Sequence, residues 1–196
     1  IQVDDDSIDF LSVSAHKFGG PKGVGFLYAN KELVLTPLLY GGAQEAGRRA
    51  GTENVAGIIG MGTASDISTA HQKEHTLLQQ TLRDHLMNRI LSEIPMTRLN
   101  GSRQERLPGN INVSFAGIDS ATLIAMLEAK DIYVSGGSAC SSSDPSPSHV
   151  LKAIGLSDEM ALSAVRITIG HENTPEEIEE TFRQIKDCVH ELRSLA

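Results

Sequence analysis

A lysine that follows a serine and a histidine where an apolar run ends is a candidate for covalent chemistry at a carbonyl carbon. In SVSAHKFGGPKG, Ser14, His16 and Lys17 stand together at the end of such a run. A lysine titrates near ~10.4, so it becomes a nucleophile only when desolvated or set beside other cations. A Schiff-base lysine with a phosphate cradle of Ser, His and backbone amides needs this spacing. In an extended segment Ser14 and His16 face one side and Lys17 the other. On composition alone an exposed turn lysine is the default reading, and Lys22 of the Pro-Lys-Gly step competes for the role.

Cys140 lies in a run of Gly, Ser and Ala from Ser135 to Ser141, followed by more serines and two prolines. A loop of that kind cannot bury a thiol well, and an exposed thiol in a reducing compartment is more often reactive than structural. Cys188, beside Val189 in an amphipathic stretch, reads as packing or as an incidental surface thiol. Arg166 interrupts the strand-like AVRITIG, where an arginine either snorkels at an edge or grips a carboxylate with both arms. Arg48 and Arg49, followed by Thr52, suit a phosphate, the default reading being a solvated turn. His71 and His75 stand four apart with polar neighbours, a solvated helix face rather than a metal site.

These residues need elements to hold them. Ile8–Ala15 and Gly23–Ala29 read as strands around the Gly19-Gly20-Pro21 turn, so His16 and Lys17 fall at a strand end. Gly41–Asn54, with four glycines and no apolar periodicity, is a loop with special backbone geometry. Val55–Ala70 reads as a small-residue helix, and a second helix from His71 carries Leu78, Leu82, Leu86 and Ile90 until Pro95 ends it. Asn110–Phe115 is a strand with Ile111, Val113 and Phe115 on one face, followed by a helix over 119–130. A short strand around Ile132–Val134 leads into the loop 136–149, and Val165–Ile169 is another strand. Thr174, Pro175 and Glu177 form a capping box opening a helix with Ile178, Phe182, Ile185, Val189 and Leu192 on one stripe. The periodicity resets near the long helix, which places a domain junction there: 1–72 and 73–196. Strands alternating with helices make the first part α/β, with a small α+β unit after it.

At 196 residues, with 40% hydrophobic and 21% charged, the chain has the composition of a folded, soluble protein. Seventeen basic against 25 acidic residues give a net charge of −8, the wrong sign for a general nucleic-acid or anionic-membrane surface, though not for an anionic small molecule in a local pocket. Two cysteines point to a reducing, cytosolic compartment, and no apolar run has the length of a membrane span. The opening Ile1, in place of Met, leads us to expect sequence lost or removed upstream.

Taken together, SVSAHKFGGPKGVGFLY, GGAQEAGRRAGTEN and SGGSACSSSDPSPSHVLKAIG followed by SAVRITIG resemble the pyridoxal-phosphate-dependent cysteine desulfurases of the NifS/IscS type, in the class V aminotransferase group. The blocks occur in family order and cover essentially the whole chain from Ile8. The resemblance implies the carboxy-terminal part of an aspartate aminotransferase-like large domain, over 1–72, and a small α+β domain over 73–196 that carries the cysteine loop. It implies that Lys17 attaches pyridoxal 5'-phosphate and that Ser14, Ala15 and His16 contact the cofactor. It implies too that Thr52 reaches the phosphate of a neighbouring subunit, that Cys140 is the nucleophile, and that Arg166 holds the substrate carboxylate. The activity so implied takes sulfur from L-cysteine, leaves L-alanine, and passes a persulfide to an iron–sulfur scaffold or another acceptor from within a homodimer. A selenocysteine lyase, a cysteine or cystine lyase, and a non-catalytic interaction fragment are the rival readings. Family members are roughly twice this long. Asp4, Asp5, Asp6 and Asp9 do not stand in the Asp-x-x-Gln context of the family's ring-nitrogen aspartate, so the chain resembles a carboxy-terminal half.

Overall fold

The computed structural model describes residue 3, residues 7–136 and residues 146–195. It divides into two units, residues 1–72 and 73–196. In the first, β1 (Phe10–Ser14) pairs antiparallel with β2 (Gly25–Ala29), Phe10 opposite Ala29 and Ser14 opposite Gly25. Both strands are shorter than the apolar runs predict. Among the described residues of this unit only Ala15, Gly57 and Ala64 are buried, while Leu38 and Tyr40 are 91% and 80% exposed. Within this unit the two strands leave apolar side chains uncovered, and a hairpin gains stability by packing its face against something else.

Helix α1 (Val55–Glu93) runs 39 residues without a break. The sequence predicts two helices meeting near His71, but the amphipathic pattern changes there without any glycine or proline to stop the helix. Asn54 caps its start, its Oδ1 accepting the Gly57 N–H at 3.1 Å.

In the second unit a three-stranded antiparallel sheet has the order β3 (Thr97–Leu99), β4 (Asn110–Phe115), β5 (Ala164–Thr168). Ile111, Val113 and Phe115 are fully buried on one face, as the period-two pattern predicts. They pack with Leu86, Met87 and Ile90 of α1, Leu123 and Leu127 of α2 (Ser120–Glu128), and Phe182, Ile185 and Val189 of α5 (Pro175–Leu195). Each such side chain contributes about 1.5–3 kcal/mol of burial. Two short helices, α3 (His149–Ala153) and α4 (Asp158–Leu162), cover a smaller cluster of Leu151, Leu156, Ala161 and Ala164. The capping box of α5 forms as expected: Thr174 Oγ1 accepts the Glu177 N–H at 3.2 Å and Glu177 Oε2 accepts the Thr174 N–H at 2.9 Å. Near the other end of α5, the Arg193 guanidinium donates to the carbonyls of Pro95 (2.7 Å), Met96 (3.3 Å) and Ala116 (3.0 Å).

Charges reinforce the α1–α5 contact. Arg89 donates to Glu93 at 2.6 Å and to Glu179, His85 also meets Glu179, and Lys186 donates to Glu93 at 2.9 Å. The Arg89 guanidinium lies 4.0 Å from the centre of the Phe182 ring. Hydrogen bonds from Arg89, then Lys186, hold the Glu93 carboxyl down from its ordinary 4.5 to about 2. A depressed carboxyl contributes stability above its unfolded pKa, and that contribution is lost as pH falls toward the folded value. The α1–α5 clasp therefore weakens between pH 4.5 and about 2. In urea titrations across that window, wild type should lose the advantage it holds at neutral pH over Glu93→Gln. An advantage that does not change with pH would contradict this account.

Candidate active site

Lys17 sits on a 3-10 turn, Ala15–Phe18, and not on extended chain. The strand ends one residue earlier than predicted, so the alternation expected for Ser14, His16 and Lys17 does not apply past Ser14. The turn hinges on Ala15, which is fully buried. Its N–H donates to Val24 O at 3.1 Å and its carbonyl accepts from Gly20 N–H at 2.9 Å. Gly19 closes the turn at φ 88°, and at Gly20 a Cβ would come 2.8 Å from that of Ala15. His16 and Lys17 thus project from a turn with little freedom, both exposed, and neither side chain has a polar partner among the described residues. Pro21 lies against Gly60, where a Cβ would come 2.7 Å from its Cγ, so the turn is packed on the start of α1.

The loop that precedes α1 is closed on itself. Gly51 N–H donates to Gln44 Oε1 at 3.2 Å, and Gly41 faces Ala50 closely enough that its own Cβ would sit 3.0 Å away. Glu45, Ala46 and Gly47 all have positive φ, and Arg49 Nη1 turns back onto the Ala50 carbonyl at 2.8 Å. Arg48 and Thr52 are exposed, and their side chains have no hydrogen-bond partner among the described residues. One cation and one hydroxyl are therefore available where the sequence predicts a phosphate contact.

In the second unit Arg166 is central to β5, opposite Asn112 on β4. Val165 and Ile167 face the core, so Arg166 is on the other face, half-buried, and its guanidinium has no partner among the described residues. Its backbone exchanges hydrogen bonds with Ser135, at 2.6 and 3.1 Å. Asn112 is held in turn by Asn100, whose Nδ2 donates to Asn112 Oδ1 at 2.7 Å. The strand predicted around Ile132–Val134 is absent, and among the described residues this segment pairs with β5 at the single Ser135–Arg166 bridge. Asp131 at φ 60° and the Ile132 N–H to Leu127 O bond spend that segment on ending α2.

Cys140 falls outside the described residues. Cys188 is 1% exposed in the core, and burial pushes its thiol up, which makes it a packing residue. The His75 ring is stacked on His171, centroids 4.1 Å apart, and no three potential ligands converge on a metal position among the described residues. Sequence reasoning missed Gln44 and Ser135. A loop bond spanning seven residues and a one-residue bridge leave no periodic signal.

The sequence model of the aminotransferase class-V family matches residues 1–181, and the chain belongs to that family. A protein of Methanosarcina thermophila named cysteine desulfurase IscS is 45% identical over the whole chain and is covered to 48% of its own length. One of the same name from Dictyoglomus turgidum is 43% identical and covered to 50%. The chain spans about half the length of these curated relatives. Among solved structures, a NifS-like protein from Rickettsia africae ESF-5 superposes with a TM-score of 0.87 at 29% identity, over 97% of this chain and 50% of its own. A structure described as SspA in complex with cysteine superposes at 0.62 with 35% identity, over 89% of this chain and 47% of its own. The mixed α/β architecture is that of part of the NifS-like fold.

Proposed function

We propose that this chain carries the lysine, cysteine and arginine of a pyridoxal-phosphate-dependent cysteine desulfurase. It would take sulfur from L-cysteine, leave L-alanine and hold the sulfur as a persulfide on Cys140. The observation that carries the reading is Lys17: an amine without a polar partner among the described residues, on a turn fixed by Ala15, in a chain whose full length matches proteins named cysteine desulfurase.

The donor set fits the cofactor. It offers an amine for an aldehyde, the hydroxyls of Ser14 and Thr52, the imidazole of His16 and glycine-lined backbone for a phosphate. When bound, pyridoxal phosphate supplies an electron sink for the α-carbon of the amino acid. Lys17 holds the cofactor and moves the proton at the α-carbon. Ser14, Ala15 and His16 hold its phosphate end, joined by Thr52 from the neighbouring subunit. Arg166 orients the substrate carboxylate with a planar fork that a lysine point charge lacks. The Cys140 thiolate attacks the substrate sulfur: the carbon–sulfur bond breaks, the new sulfur–sulfur bond forms on Cys140, and the carbon skeleton leaves as alanine. The persulfide then passes to an acceptor thiol, an iron–sulfur scaffold protein in our reading, in a reducing cytosol. The test is product analysis of the holoenzyme with L-cysteine. Alanine and protein-bound sulfane sulfur in equal amounts support the assignment, whereas pyruvate and ammonia identify a cysteine lyase. Arg166→Lys should raise KM for cysteine about ten-fold or more with little change in the melting temperature. A mutant that unfolds with normal substrate affinity would make Arg166 an edge residue.

The enzyme in this reading is a homodimer in which Thr52 serves the partner's cofactor. Heterodimers of Lys17→Ala with Thr52→Ala should regain partial activity, because one of the two sites then carries both lesions and the other none. No recovery in verified heterodimers would put Thr52 in its own subunit's site.

A further inference from the structure

Gln44 makes the one side-chain hydrogen bond, among the described residues, that ties together the two limbs of the loop before α1. Its Oε1 accepts the Gly51 N–H at 3.2 Å, seven residues further on. Its amide lies over Gly42, where a Cβ would come 2.5 Å from Oε1 and 2.9 Å from Nε2, so the side chain can take this course only above bare backbone. Between the limbs, Glu45, Ala46 and Gly47 have φ of 51°, 56° and 76°. Two of these bear side chains that disfavour the left-handed region, so the shape of the loop has to be imposed from outside them. Backbone bonds from Gly47 N–H to Ala43 O and Gln44 O, and from Arg48 N–H to Glu45 O, close the turn itself, but none of them reaches Gly51.

Resting on the cofactor reading above, we infer that Gln44 is a positioning residue for phosphate recognition. By holding the Gly51 peptide it fixes the backbone from which Thr52 extends, the adjacent residue, whose hydroxyl has no partner among the described residues. Gly42 belongs to the same device, because it leaves room for the Gln44 amide. Without the pin, Glu45 and Ala46 relax and Thr52 samples positions in which its hydroxyl misses the phosphate.

The apo form of the holoenzyme, titrated with pyridoxal 5'-phosphate and with pyridoxal, tests this without relying on turnover. Gln44→Ala should bind pyridoxal phosphate roughly ten-fold more weakly, the size of one hydrogen bond's net contribution, and bind pyridoxal as wild type does. Gly42→Ala, which displaces the amide while leaving Gln44 in place, should show the same selective loss. The double variant should be no weaker than Gln44→Ala, since nothing remains to displace. Equal weakening toward both ligands, a Gly42→Ala protein with wild-type affinity, or additive losses would overturn the role of Gln44. If wild type itself shows no preference for pyridoxal phosphate over pyridoxal, the cofactor reading fails and this inference with it. A preference that survives in every variant removes the Gln44 role alone.

Discussion

Lys17→Ala should abolish both covalent retention of the cofactor and turnover, a loss of about ten-thousand-fold if Lys17 is both the attachment point and the proton carrier. Borohydride reduction of wild-type holoenzyme followed by peptide mapping should then find the pyridoxyl label on Lys17 and nowhere else. The structure gives a reason to choose Lys17 over Lys22. Lys17 stands on a turn whose hinge residue, Ala15, is fully buried and bonded to Val24 and Gly20. Lys22 is exposed and follows Pro21, beside Gly23 at φ 80°. A covalent anchor has to return to one position in every cycle, which favours the more tightly held residue. A label on Lys22 would remove the assignment.

The second large effect concerns the cysteines. Cys140→Ser should reduce sulfide release at least about a thousand-fold while the bound cofactor's absorbance is kept, because a hydroxyl cannot accept the sulfur. Cys188→Ser is expected to be nearly silent on sequence grounds, and the structure refines that expectation. With its side chain in the core beside Val189 and 1% exposed, the variant places a hydroxyl where nothing is set to receive it. We expect unchanged activity per folded molecule and a stability loss of about 1–3 kcal/mol, read from the urea midpoint. Equal loss of specific activity in both variants would mean that the Ser/Gly loop is not what selects the reactive thiol.

Local patterns were legible where one interaction decides the conformation. The alternation of Ile111, Val113 and Phe115 reveals β4, and the Thr174–Glu177 spacing reveals the start of α5, since each is complete within a few residues. Elements that depend on distant partners were not. Thr97–Leu99 becomes a strand only because β4 lies beside it. Ile132–Val134 has strand-like residues but is used to end α2, and the helix from Val55 continues past His71 because no breaker interrupts it. The candidate site divides in the same way. Lys17, Thr52 and Arg166 stand out by residue type and neighbours, whereas the 3-10 turn beneath Lys17 depends on Gly19 and Gly20 reaching back to Ala15.

The Arg193 contacts bear on how this protein would meet proteases. A single guanidinium on the last turn of α5 serves three carbonyls from two other turns, those of Pro95 and Met96 ahead of β3 and that of Ala116 after β4. A cut in α5 ahead of residue 193 deprives all three acceptors at once. Proteolysis that severs the last turn of α5 should therefore loosen the turns before β3 and after β4 together. The lifetime of residues 73–196 is then set by how well one helical turn is shielded.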